Sequence, residues 1–192
     1  MYSGAKQGLL LAVLLTGMLL VASCENDINK IKEISAQESE KPVQETDSVD
    51  VIYSDSAKVK LRMLTPVLID YNDTAKNAVP YKTTPKGVKI IFFDSLAREA
   101  GNIVADSGIQ YPKTSIMEFH KNVVATNAEG STFKSDELIW DQAKKKIYSN
   151  KPVTINEISG NVVYGTNFVS DERLTHPFFN TGSGSFNVPE TP

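Results

Sequence analysis

Two patterns of apolar residues divide the chain. Leu9 to Ala22 reads LLLAVLLTGMLLVA, fourteen residues with almost no polar break. Past residue 51 the pattern switches to a period of two. Val59, Leu61 and Met63 alternate with Lys58, Lys60 and Arg62, the arrangement of a strand with one wet face. Val88–Phe93 reads VKIIFF, and its Ile90-Ile91-Phe92-Phe93 run suits a strand covered on both faces. Strand-like runs continue over 101–106, 115–120, 122–126, 131–135, 138–141, 146–149, 152–156, 161–164, 167–171 and 185–188. Turn formers separate them, as in Ala128-Glu129-Gly130, Ser149-Asn150-Lys151-Pro152 and Ile158-Ser159-Gly160-Asn161. Short strands at roughly eight-to-twelve-residue spacing, with no convincing helical repeat, predict an antiparallel all-β domain over residues 51–192. Trp140, the only tryptophan, shares a phase with Leu138 and is predicted to be core.

The opening run has a different meaning. Lys6 precedes it and small residues follow, which is the order of a secretory signal peptide. Fourteen apolar residues also fall short of the ~20 that a spanning helix needs. Val21-Ala22-Ser23-Cys24 resembles the lipobox of bacterial lipoproteins. That resemblance implies removal of residues 1–23 and acylation of Cys24, which becomes the lipidation site and membrane anchor. Residues 25–50 are acidic, polar and without aromatics, so residues 24–50 are read as a lipidated end and flexible tether. Ile28, Ile31 and Ile34 add a weak amphipathic repeat close to that end.

The β-region contains an internal echo. Phe133-Lys134-Ser135-Asp136-Glu137 returns as Phe168-Val169-Ser170-Asp171-Glu172, offset by 35 residues, and Ala105-Asp106-Ser107 is a fainter copy. In each, a small residue precedes an Asp whose carboxylate can take local backbone N–H groups where the chain turns. The echo predicts stacked β-units around a shared interior, with Phe133, Asp136, Phe168 and Asp171 in structural roles.

Charge and composition narrow the chemistry. Twenty basic against 23 acidic side chains leave a net charge of −3, which argues against a general nucleic-acid binder. A single cysteine excludes a disulfide framework and any multi-cysteine metal site. The two histidines, His120 and His176, are 56 residues apart, and HExxH, GxSxG, P-loop and GxGxxG patterns are absent. His120 falls opposite Met117 and Phe119 in strand phase, and His176 precedes Pro177. Lys144-Lys145-Lys146 sits beside a turn and reads first as a solvated face, second as a phosphate ligand. No catalytic residue, metal site or cofactor is expected, and the chain is not read as an enzyme.

The stretch from Asn122 to Asp171 resembles the LptC family, a component of the lipopolysaccharide transport bridge. The resemblance is carried by Gly130 and Phe133-Lys134-Ser135-Asp136-Glu137-Leu138-Ile139-Trp140-Asp141, by Lys146-Ile147-Tyr148-Ser149-Asn150-Lys151-Pro152-Val153, and by Tyr164-Gly165-Thr166-Asn167-Phe168-Val169-Ser170-Asp171. Loosely it extends over residues 57–188. It implies an open antiparallel β-jellyroll, boat-shaped with a greasy interior, in the inner membrane's periplasmic space. It also implies that lipopolysaccharide is taken from an inner-membrane ABC transporter (LptB/LptF/LptG-like) and passed to a periplasmic LptA-like protein. Strand phase selects Val59, Leu61, Met63, Ile90, Phe92, Met117, Phe119, Val153 and Ile155 as lipid-groove candidates. By family analogy the edge near Val59–Met63 meets the transporter, and the edge near Ser185–Val188, with Phe186 and Val188, meets the next bridge protein. Gly165 matches a motif glycine suited to close approach, while Asn167 stands where the pattern often has a second glycine. Many members use an uncleaved transmembrane helix, whereas this chain carries the lipobox. The competing reading is an envelope lipoprotein that scaffolds partners around a closed β-core and carries no lipid.

Overall fold

The computed structural model describes residues 44–71 and 79–187, and every regular element among them is a β-strand. β1 (Gln44–Asp55) and β2 (Lys58–Tyr71) form a long hairpin. β3 (Tyr81–Thr84), β4 (Val88–Phe93), β5 (Glu99–Ala105) and β6 (Ser107–Tyr111) follow. β7 (Ile116–Asn127) and β8 (Thr132–Asp141) make a second long hairpin. β9 (Lys146–Ser149), β10 (Val153–Asn156), β11 (Val162–Thr166), β12 (Phe168–Asp171) and β13 (Thr181–Ser185) complete the series. Every strand pairing is antiparallel, and together they join thirteen strands into one sheet.

That sheet is creased along its middle. β2 pairs β4 through Leu61–Leu64 and then β3 through Ile69–Tyr71. β7 pairs β6 over Ile116–His120 and β5 over Val124–Asn127. β8 pairs β10 over Thr132–Lys134 and β9 over Ile139–Asp141. The backbone makes each bend locally. In β7, Lys121 and Asn122 turn left-handed at φ 63° and 48° where the register slips. Asn167 does the same at φ 54° between β11 and β12. Asp106 interrupts β5 and β6 at the matching height, its N–H donating to the Lys121 carbonyl at 3.1 Å. Ser48, at φ 53°, marks the same crease in β1, whose Gln44–Asp47 pairs with the second-leaf half of β2. Two leaves result. The first holds the C-terminal part of β1, the N-terminal half of β2, β4, β5, the C-terminal half of β7, the N-terminal half of β8, β10, β11 and β13. The second holds the remaining halves with β3, β6, β9 and β12.

Inward side chains of the two leaves meet in one core. Ile90, Ile103, Val123, Ala125, Phe133 and Val153 come from the first leaf; Phe119, Leu138, Ile147 and Phe168 come from the second, each at most 1% exposed. Phe133 and Phe168 touch across the leaves with ring centroids 5.8 Å apart, and Phe179 adds a third ring 5.4 Å from Phe168. Trp140 is core as expected: it meets Phe92 edge to face at 5.0 Å, and its Nε1–H donates to Glu172 Oε1 at 3.0 Å.

The all-β antiparallel class expected from the alternation is the one observed. Some boundaries differ for physical reasons. β1 begins at Gln44, within the segment read as tether, because eleven of its residues pair with β2 and so satisfy backbone groups without burying their side chains. Consequently Val59–Met63 is not an edge, since β2 lies between β1 and β4. β13 spans Thr181–Ser185 rather than 185–188; its sequence TGSGS has no apolar residue to signal it. The paired runs 115–120 with 122–126, and 131–135 with 138–141, are single strands bent at the crease. The 35-residue echo joins unlike places, Asp136 at the crease of β8 and Asp171 at the outer end of β12. Its fainter copy is the apt one, with Asp106 and Asp136 both at creases. Cys24, residues 25–43 and Val188 lie outside the described residues.

An apolar trough between the leaves

A strand alternates its side chains between faces, so each crossing contributes every second residue to the space between the leaves. All nine groove candidates face that space or its mouth. Met63, Ile90, Met117, Phe119, Val153 and Ile155 are buried in it, and Leu61 and Phe92 pack against it half-buried. Val59, two residues before Leu61 on β2, is also half-buried. In the middle of the sheet the trough is filled by its own side chains. Towards β1 it opens. Val49, Val51 and Tyr53 pair in register with Thr65, Met63 and Leu61 and share their inward phase, yet Val51 is 44% and Tyr53 57% exposed. The apolar wall therefore runs out to a strand with no neighbour on its outer side among the described residues. On the second leaf near this end, the inward pair Lys82 and Asp70 form an ion pair at 2.6 Å.

The other end is closed by the chain between β12 and β13. Leu174, at φ 56°, drops into the core at 4% exposure. Its carbonyl accepts from Asn127 Nδ2 at 3.3 Å, so the second leaf's loop reaches the rim of the first. Asp171 organises that loop. Its Oδ1 accepts from the N–H of Thr175 at 2.8 Å and of His176 at 3.1 Å, and its Oδ2 from the Thr175 hydroxyl at 2.7 Å. Burial alone would raise this carboxyl, but those hydrogen bonds from Thr175 and His176, with one from Ser170, outweigh it and hold the pKa down to about 2. Beside the closure lies an open cleft of about 330 Å³, walled about equally by polar residues, among them Asn127, Glu129 and Glu157, and by apolar Phe133, Ile155, Ile158, Leu174 and Pro177.

The remaining sequence candidates are placed as follows. Gly165 leaves room for the Phe179 ring, with which any Cβ would collide. Asn167 takes the left-handed backbone that glycine favours and asparagine tolerates. Asp136 is exposed; at that crease the Ser135 hydroxyl, not the carboxylate, accepts the Glu137 N–H at 3.2 Å. Phe186 is 66% exposed just past β13, the other edge of the sheet. His120 points away from the trough, 3.1 Å from Glu118, and His176 is exposed on the closing loop. Among the described residues no three His, Cys, Asp or Glu side chains gather as metal ligands, and no helix is long and apolar enough to cross a membrane. Four contributors are not apparent from the sequence. Val49, Val51 and Tyr53 do alternate, but acidic neighbours hid the pattern; Leu174 is the lone aliphatic residue in the polar run ERLTHP.

Residues 9–173 match the family described as lipopolysaccharide-assembly, LptC-related. Among curated proteins nothing matches the chain.

Proposed function

The chain belongs to the LptC-related lipopolysaccharide-assembly family, and from that premise we propose that it receives lipopolysaccharide from an inner-membrane ABC transporter and passes it to a periplasmic jellyroll partner. The family is a periplasmic transport component, not a group of enzymes. The observation that carries the finer reading is the apolar wall that continues past the packed middle of the trough to the open strand β1. An acyl chain leaving a bilayer for water loses about 0.8 kcal/mol per methylene. A wall of Val, Leu, Met and Phe removes most of that cost, so the cargo can be pushed onward with little net change. Unpaired strand edges complete the logic. β1 offers its outer side to a jellyroll of the transporter (LptB/LptF/LptG-like), and β13, with Phe186 and Val188 beyond it, offers its own to an LptA-like partner. Continuing the sheet from chain to chain makes one trough.

Acylated Cys24 holds the protein in the inner membrane with the domain in the periplasm, on the lipobox reading of residues 21–24. A Cys24→Ala variant then leaves the membrane fraction or stays as uncleaved precursor. The trough itself is tested by replacing Leu61 and Phe92 with Asp at the half-buried end. The expected outcome is a folded protein that no longer supports surface delivery of lipopolysaccharide. Normal delivery with both carboxylates in place would favour the scaffold without cargo.

A further inference from the structure

The rim of the second leaf has features that cargo transfer does not use. One cross-strand row runs along its outer face through Tyr71, Tyr81, Tyr111, Ile116, Asp141, Lys146 and Asp171. Tyr71 and Tyr81 stack at 4.7 Å, and Tyr81 and Tyr111 lie 6.4 Å apart. These rings alternate with Gln110 and Met117, which face the trough, so the tyrosines face outward. Beside the row the turns carry Lys113, Lys144, Lys145 and Arg173, all exposed. The carboxylates on the same rim have partners: Asp141 pairs with Lys144 at 2.8 Å, Asp171 takes Thr175 and His176, and Glu172 takes the Trp140 indole. Lys113, Lys145, Lys146 and Arg173 make no ion pair among the described residues. At the turns of the first leaf Arg98 is taken by Asp94 and Lys58 stands near Asp55, while Glu99, Glu129 and Glu157 are exposed and leave that rim negative.

Gln44, where the described chain starts, pairs with Asp70, adjacent to Tyr71. The preceding 43 residues therefore join the domain at the tyrosine end of the basic rim.

We propose that this rim rests on the surface of an anionic phospholipid bilayer, the same one that holds the anchored N-terminus. Tyrosines with apolar bodies and polar tips suit the headgroup layer, and exposed lysines and arginine draw anionic headgroups to it. The acidic rim of the first leaf is repelled, so the domain settles with its basic lip on the bilayer. The proposal rests on the anchoring reading of Cys24, and its test separates the two.

The full chain, purified from membranes with Cys24 acylated, is reconstituted in phosphatidylcholine vesicles with and without phosphatidylglycerol. A bimane label goes on Thr114→Cys, in the basic rim, or on Ala128→Cys, in the acidic one; both sites are exposed turns. Nitroxide lipid headgroups quench a label that touches the surface. Expected is quenching at 114 at least about threefold above that at 128, only with phosphatidylglycerol, falling to the 128 level at ~1 M salt where screening reaches ~3 Å. The combined reversal Lys113→Glu, Lys145→Glu and Arg173→Glu gives the same loss, with the melting curve as control for folding. Equal quenching at both labels, or quenching indifferent to phosphatidylglycerol, salt and reversal, overturns the proposal. So does a reversal that spares quenching but stops cargo transfer, which would assign the basic rim to the cargo. Flotation at high salt reads the anchor alone: floating without selective quenching removes docking and keeps the anchor, and failure to float removes the anchor on which docking rests.

Discussion

Asn167 sets a bend in the whole sheet with one residue. Its left-handed backbone lets the chain leave β11 in the first leaf and enter β12 in the second. Left-handed geometry costs ordinary L-residues roughly 1–2 kcal/mol, and a β-branched one most. Asn167→Val is therefore expected to lower urea-unfolding stability by about 1–2 kcal/mol, whereas Asn167→Gly changes it by only a few tenths. The glycine pattern of the family pointed at this site; the structure supplies the dihedral reason. Asp171 makes a second residue-scale prediction. Its carboxyl is held down to about 2 from an ordinary 3.8, so its contribution is complete above about pH 4 and is lost as pH falls towards 2. Because its side chain is 37% exposed, screening reduces the contribution to roughly 1 kcal/mol. Unfolding curves of the parent and Asp171→Asn should differ at pH 6 and converge near pH 2; a gap constant across that range would contradict the account.

Strands were legible wherever one face was wet and the other buried. β2, β7 and β8 display that alternation, and their groove candidates fall on the inward face. β1 was not legible because Glu45, Asp47 and Asp50 give it the composition of a tether, while pairing with β2 gives it a strand's backbone. β6, with the sequence SGIQY, is short and polar and depends on β3 and β7 for its ladder. Creases were invisible since both halves of a bent strand keep their alternation, and the dihedrals at Ser48, Lys121, Asn122 and Asn167 mark the turn. Two element-scale outcomes follow from this arrangement. Val51→Lys, at an exposed inward position of β1, should leave stability within about 0.5 kcal/mol yet abolish co-purification with the transporter. Leu174→Ala, by emptying the buried anchor of the closing loop, should cost about 2–3 kcal/mol and speed hydrogen exchange of the Trp140 indole N–H that Glu172 holds.

At the scale of the molecule, two folded leaves make a container whose middle is packed and whose β1 end is open. Fully buried Phe119, Leu138 and Val153 give the fold its core, so the proposed passage of a lipid would use the half-buried side chains at the mouth and the wall beyond them. The cargo is a matter of family and chemistry together: the sequence motifs identify the lineage, and the wall explains why an acylated molecule suits it. The most direct measurement places a photo-crosslinking amino acid at Phe92, which faces the trough, and at Ile91, its outward neighbour on β4 paired with Arg62. In cells exporting lipopolysaccharide, the account predicts adducts from position 92 and none above background from 91. Absence of adducts at 92, or equal yields from the two positions, would contradict it.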